Sequence, residues 1–345
     1  MTGFDTFFSI IKIMNIYSLS ELINHHQQLP ECVLTIGNFD GVHLGHQAML
    51  HKLCQTANGH NTKQLATAVM IFEPQPREFF SPDTAPPRLT NCDEKLALLQ
   101  AFGIQNVIIA EFNEAFRNLS ADEFAIILQT IGVRGLVLGD DFRFGHDRVG
   151  DSSFLRTAGF SVFTLDTVEN HAHERISSTK VREFLLKGDL NLANQMLGRD
   201  YSITGDVLHG DKIGRTLDFP TANVALNRLK PAVQGIFAVD AVLNNQQSFA
   251  SFSKNQQLGL IGFRSNSLFG TASIGVRPSV AKPHDWRLEV FFPEFDGDLY
   301  GQVLNVRFLH YLHPERHYQD LTALKMGIDN DVKALLAWRE QQLAI

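Results

Sequence analysis

A ten-residue run, Gly37-Asn38-Phe39-Asp40-Gly41-Val42-His43-Leu44-Gly45-His46, joins spaced glycines to two imidazoles. Glycines let a backbone close on a polyphosphate, and a helix opening beside them offers unpaired N–H groups and a favourable dipole. His43 and His46 fall one helical turn apart, so both can face the same oxygens and stabilise charge developing at a phosphate under attack. Taken alone, such a pair also fits a metal site or a surface coincidence. In Ile176-Ser177-Ser178-Thr179-Lys180-Val181-Arg182, the hydroxyls can cap a helix or bind phosphate oxygens, and Lys180 and Arg182 add positive charge. No G-x-x-x-x-G-K-[ST] segment is present, which argues against an ordinary P-loop kinase.

A second candidate site opens the other half of the chain. Gly205, Gly210 and Gly214 are spaced along two strands and a turn, where backbone amides can surround phosphates. Thr221 and Asn223 offer neutral oxygens suited to a hard Mg²⁺ ion, although Pro220-Thr-Ala-Asn223 also reads as a strand-edge turn. Glu289, flanked by Leu288 and Val290, lies on the strand face opposite theirs, toward a pocket or toward water. Asp296 and Asp298 lack the remaining ligand spacing of a Ca²⁺ loop and read as a turn.

The elements that must position these groups change character near residue 200. Before it, short apolar runs at 33–36, 66–72, 106–110, 135–139 and 160–165 alternate with helical stretches at about 44–57, 94–102 and 120–131. Ser120 and Glu123 stand at capping-box spacing. This alternation predicts a doubly wound parallel α/β sheet, with ligands beyond the carboxyl ends of its strands. After it, strand-length runs at 201–208, 235–243, 270–275, 287–292 and 303–309 are separated by Gly, Asn, Asp and Pro, which predicts an antiparallel barrel or sandwich. Leu321, Leu324, Ile328, Val332, Leu335 and Trp338 form one apolar face of a C-terminal helix packed on it. Residues 244–268, rich in Gln, Asn and Ser, read as a long hairpin or loop.

Composition is that of a globular protein: 345 residues, 44% apolar and 19% charged, long enough for two domains. A formal charge of −7 argues against a general nucleic-acid coat. Cys32, Cys54 and Cys92 show no C-x-x-C spacing and read as reduced thiols of a cytoplasmic protein, with neither a zinc site nor a disulfide frame. The apolar start is shorter than the ~20 residues of a membrane span and lacks signal-peptide features. Met14 reads as the natural start, with residues 1–13 an extension.

Taken together, these segments resemble the bifunctional bacterial riboflavin kinase/FMN adenylyltransferase (FAD synthetase) family, over nearly the whole chain beyond residue 14. The His43–His46 run is similar to the H-x-G-H signature of the nucleotidyltransferase superfamily. Phe72-Glu-Pro-Gln-Pro76 resembles F-E-P-H-P, with Gln75 in place of His. Gly139 to Asp151 resembles the flavin-side loop G-x-D-F-x-F-G-x-x-R-x-G-D, and residues 176–182 resemble I-S-S-T-x-I-R. In the second half, Gly214-Arg215-Thr-Leu-Asp218-Phe-Pro220-Thr221-Ala-Asn223 resembles G-R-x-L-G-F-P-T-A-N, with Asp218 for Gly. Residues 235–239 resemble G-V-Y-A-V, residues 273–279 resemble N-I-G-x-R-P-T with Ser273 for Asn, and residues 287–301 resemble L-E-x-H-L-x-D-F-x-x-D-L-Y-G.

The resemblance implies a nucleotidyltransferase-type sheet over residues 14–188, a short helical bridge through Leu197, and a riboflavin kinase β-barrel with a C-terminal helix over 189–345. It implies ATP or phosphate contacts from Gly37, Asn38, Phe39, Asp40, Gly41, Gly45, Ser177, Ser178, Thr179, Lys180 and Arg182, and flavin contacts from Asp141, Phe142, Phe144 and Arg148. Core packing is the competing reading of the two phenylalanines. For the kinase it implies ATP contacts from Gly205, Gly210, Gly214, Arg215 and Pro220, Mg²⁺ at Thr221 and Asn223, and Glu289 as general base toward the ribityl hydroxyl. Riboflavin, FMN, FAD and ATP are then substrates and products, with neither nucleic acid nor membrane as partner, and a weak homo-oligomer is compatible. Two alternatives stay open: an FMN adenylyltransferase whose flavin-binding barrel has lost catalysis, and a non-catalytic flavin-binding protein.

Overall fold

The computed structural model describes residues 14–59, 64–169, 174–209, 219–244, 248–258, 260–277 and 285–344. The chain divides into two compact units, Met1–Pro86 with Cys92–Ser177, and Pro87–Asn91 with Ser178–Ile345.

In the first unit, β1 (Asn15–Ser18), β2 (Cys32–Ile36), β3 (Ala66–Glu73), β4 (Asn106–Glu111), β5 (Val133–Gly139) and β6 (Ser161–Leu165) form one six-stranded sheet. Its order is β1-β4-β3-β2-β5-β6, and every pair is parallel. Helices α1 (Leu19–Asn24), α2 (Leu44–Gly59), α3 (Pro76–Phe80), α4 (Cys92–Ala101), α5 (Glu114–Arg117), α6 (Ala121–Thr130) and α7 (Ser152–Thr157) lie between the strands in sequence. All five residues of β2 are buried because both sheet faces are covered. Leu34 and Ile36 join Met70, Leu136 and the α6 residues Phe124 and Leu128 in one core. Val33 joins Val69, Val137 and the α2 residues Leu50 and Leu53 in the other.

The predicted capping box is present at α6: Glu123 N–H donates to Ser120 Oγ at 3.2 Å, and Ser120 N–H donates to Glu123 Oε2 at 2.8 Å. From β2 the chain passes through α2 to β3 on one side; from β5 it passes through α7 to β6 on the other. The crevice beyond the carboxyl ends of β2 and β5 is therefore the topological switch point.

The second unit begins with α8 (Ser178–Leu186) and α9 (Leu190–Leu197). Its further strands are β7 (Ser202–Leu208), β8 (Thr221–Val224), β9 (Gly235–Leu243), β10 (Ser253–Leu258), β11 (Leu268–Arg277), β12 (Asp285–Phe291), β13 (Phe295–Gly297) and β14 (Val303–His313), followed by α10 (Leu321–Leu343). Strands β11-β12-β8-β7-β14-β9 close into a barrel, and β10 pairs with β13 apart from it.

Thr221–Val224 is a barrel strand rather than an edge turn, held between β12 and β7. Leu321 lies outside the buried face of α10, with 57% of its surface exposed. That face centres instead on Gly327, Asp331 and Leu335, and Leu335 packs with Ala238, Phe269 and Trp338. The stretch from 244 to 268 carries a 3₁₀ turn at Phe249–Phe252 as well as β10. Its far end is fastened to the barrel by charge. Asp240, fully buried on β9, accepts from Arg264 Nε at 2.9 Å and from Arg307 Nη2 at 2.7 Å.

Candidate active sites

At the end of β2 the backbone turns sharply. Phe39, Gly41 and Val42 adopt φ values of 48°, 80° and 39°. A β-branched residue at positive φ is strained, so the surrounding core must hold this curl in place. Val42 is fully buried, and Phe39 and Asp40 are each 2% exposed. The loop delivers the two imidazoles to the mouth of α2, where their rings stack at 3.7 Å with an 18° interplanar angle. His46 N–H donates to His43 Nδ1 at 3.3 Å, so in the neutral ring the His43 proton sits on Nε2.

Gly45 leaves room on the same turn: a β-carbon there would meet the His43 ring at 3.2 Å and the Ile176 carbonyl at 3.4 Å. The Ile176–Ser177 end of the first unit thus lies against the helix mouth. Asn38 Oδ1 and Gln75 Nε2 are buried and have no hydrogen-bond partner among the described residues. They follow the carboxyl ends of β2 and β3, adjacent strands of the sheet. A ligand or an ordered water can complete the bonding of such buried polar atoms.

Along the loop after β5, Asp141 is exposed and pairs with Arg175 at 2.9 Å, while Arg148 is exposed with φ 58°. Phe142 and Phe144 stack at 5.8 Å and 23°. Phe144 is 8% exposed and part of the core, so it backs Phe142, which is half-buried. In the second unit, Ser178, Thr179 and Lys180 form the first turn of α8, Lys180 pairs with Glu183 at 3.3 Å, and Arg182 Nε donates to the Pro87 carbonyl at 2.6 Å.

The barrel brings together residues that are far apart in sequence. Glu289 is the cross-strand partner of Asn223 on one side and of Ser273 on the other. Phe291 likewise pairs with Thr221 and Thr271. Side chains alternate along strands, so Thr221, Asn223, Ser273 and Glu289 share one face while Ala222, Val224, Leu288 and Val290 fill the core on the other. The shared face lines a cavity of about 370 Å³ that Arg287 and Phe291 also border. Directly opposed residues have Cβ atoms roughly 5 Å apart, close enough for their side chains to act on one ligand.

Pro220 is exposed just before β8. Gly205 lies beneath the Ala225 carbonyl, where any side chain would collide. Gly210, Gly214, Arg215 and Asp218 lie outside the described residues. Tyr300 N–H donates to Asp298 Oδ1 at 3.0 Å, a local turn just after β13. His313, Tyr318 and Asp331 also line the cavity, yet none stands out in sequence. They carry no motif and reach the site only through the closure of β14 and α10.

A doubly wound sheet with a glycine- and histidine-bearing loop at its switch point, followed by a closed barrel with a carboxylate opposite an asparagine, defines a two-unit phosphate-chemistry enzyme. A FAD synthetase family model matches residues 25–180, and a riboflavin kinase family model matches residues 197–339. The bifunctional riboflavin kinase/FMN adenylyltransferase of Pseudomonas fluorescens is 43% identical, covering 90% of this chain and 95% of its own. Those of Haemophilus influenzae and Escherichia coli K12 are 38% and 39% identical, covering 92% and 90% of this chain and 97% and 94% of their own. The chain belongs to the bifunctional riboflavin kinase/FMN adenylyltransferase family. A Streptococcus pneumoniae structure described as a macrolide-efflux protein shares the fold, with a TM-score of 0.69 at 24% identity over 90% of this chain and 95% of its own.

Proposed function

We infer that this chain phosphorylates riboflavin to FMN with ATP, and then adenylylates FMN to FAD with release of pyrophosphate. The observation that carries the kinase half is the register that sets Glu289 opposite Asn223, on the face shared with Thr221. Glu289 takes the proton from the ribityl 5′-hydroxyl as that oxygen attacks the ATP γ-phosphorus. The bond from the γ-phosphorus to its bridging oxygen breaks, and ADP leaves. Thr221 Oγ1 and Asn223 Oδ1 are neutral hard oxygens beside a carboxylate, a donor set that fits Mg²⁺ and would hold it. Bound there, the ion would neutralise phosphate charge.

In the first unit, His43 and His46 donate to oxygens of the ATP α-phosphate while the FMN phosphate attacks in line, a step that needs no protein nucleophile. Gly37, Asn38, Phe39, Asp40, Gly41, Gly45 and Ser177 supply the remaining cradle, with Ser178, Thr179, Lys180 and Arg182 as further phosphate ligands. Asp141, Phe142 and Arg148 meet the flavin, with Phe144 supporting the ring of Phe142. Gly205, Gly210, Gly214, Arg215 and Pro220 serve the kinase ATP. We assign the adenylyltransferase to residues 14–188 and the kinase to 189–345. The cysteines Cys32, Cys54 and Cys92, none of them in a disulfide among the described residues, fit a cytoplasmic setting. Incubation with riboflavin and Mg-ATP, with chromatographic separation of flavins, tests the reading: FMN is expected first and FAD after it. FAD formed only from supplied FMN would reduce the chain to an adenylyltransferase.

A further inference from the structure

The kinase cavity has a second wall that the chemistry above leaves unused. Tyr318, Leu324, Ile328, His313 and Asp331 all border it, on α10, at the end of β14 or on the chain between them. Gly327 is buried on α10. A β-carbon added there would overlap the phenol oxygen and ring of Tyr318. The Tyr318 ring therefore lies directly on the helix backbone. One turn further on, Asp331 Oδ1 is 2.7 Å from His313 Nε2, joining α10 to the end of β14. The helix is pinned to the cavity at two successive turns of one face. Glycine is a poor helix former, so what it contributes at 327 is room for a close approach.

We propose that Gly327 and Tyr318 set the width of the cavity along α10, and so determine how tightly the planar ring of the flavin substrate is held. His313 and Asp331 act as the positioning pair that keeps the helix seated. The inference rests on the riboflavin kinase reading. Glu289, Thr221 and Asn223 claim the polar end of the cavity for the hydroxyl and phosphates. A fused three-ring system needs a flat apolar wall, which Tyr318, Leu324 and Ile328 supply. A methyl group at 327 collides with the far end of a side chain, not with backbone. The fold can therefore absorb it by moving the phenol off the helix, toward the cavity it lines.

The test uses the full chain. Riboflavin phosphorylation is measured in the parent, Gly327→Ala, Tyr318→Leu and the double variant, with adenylylation of supplied FMN as the control for integrity. Gly327→Ala is expected to raise the riboflavin KM roughly tenfold, as expected for a wall displaced by about an ångström, with the ATP KM and FMN adenylylation unchanged. In the Tyr318→Leu background the same alanine is expected to change that KM by less than about twofold, since its collision partner is gone. Tyr318→Leu alone, which leaves the helix intact, is expected to raise the riboflavin KM as well. An unchanged riboflavin KM in both single variants, a shift confined to ATP, or an equal alanine effect in both backgrounds would overturn the proposal. A parent chain that forms FAD from FMN but no FMN from riboflavin would instead reject the kinase reading, and this inference with it.

Discussion

Glu289 and Asn223 are direct cross-strand partners in the antiparallel pair of β12 and β8, with Ser273 of β11 on the far side of the same carboxylate. On the proposed reading this carboxylate is the base, placed next to the candidate metal ligands to act on a hydroxyl that approaches a metal-bound triphosphate. Replacing Glu289 with Gln keeps the shape and removes the basicity. Riboflavin phosphorylation should fall about 10²–10⁴-fold, while adenylylation of supplied FMN continues at the parent rate. Initial rates of the two reactions on one preparation check this. An unchanged kinase rate would leave the barrel as a binding module.

The imidazole pair gives the converse separation. His43→Asn retains a side-chain acceptor for the His46 N–H but cannot supply the Nε2 proton. Its adenylylation rate should drop about 10²–10³-fold, the loss expected when one preorganised donor to a developing charge is removed. A variant supplied with riboflavin and Mg-ATP should then accumulate FMN, which chromatography of a time course would show.

Asp240 is fully buried and bonded to both Arg264 and Arg307. Asp240→Ala leaves two guanidinium groups at the site without that carboxylate, at a cost of about 3–5 kcal/mol. Arg307 keeps its 2.7 Å pairing with Asp200, so Arg264 bears most of the loss. Urea unfolding should show a lower midpoint for the barrel, with kinase activity lost at a denaturant concentration where adenylylation persists. Coincident loss of both activities would contradict it.

Burial pushes the Cys32 thiol up from 9.0 to about 12. At pH 8 its thiolate fraction is about a thousandth of that of an ordinary cysteine, and thiolate is the reactive form. The folded chain holds this proton more tightly than the unfolded chain. The associated stability is therefore complete below about pH 9 and is lost as pH rises toward 12. Iodoacetamide at pH 8 followed by mass spectrometry should leave Cys32 unmodified in the native chain and label it in urea.

Much of the first unit was legible because its signals are local. Apolar runs buried on both faces, a capping box at Ser120 and Glu123, and a glycine-rich turn between β2 and α2 each involve residues within a few positions of one another. Neighbouring side chains and backbone dihedrals decide them before any tertiary contact forms. The strand alternation around Glu289 was legible for the same reason, since Leu288 and Val290 assign its face.

The sequence leaves Pro220–Asn223 open between a turn and a strand of the site, because a four-residue strand between two partners draws its order from those partners. Leu321 was misplaced because an apolar period shows that a helix has a face, while the barrel beneath decides where that face ends. The amino-acid order alone determined the two kinds of sheet, the loop at the switch point and the residue types at both sites. Only the closed barrel decided that Glu289 meets Asn223, and only the seating of α10 decided that Asp331 meets His313 and that Tyr318 rests on Gly327. The first depends on strand register and closure, the others on where the helix docks, and both are set by burial summed over the whole unit.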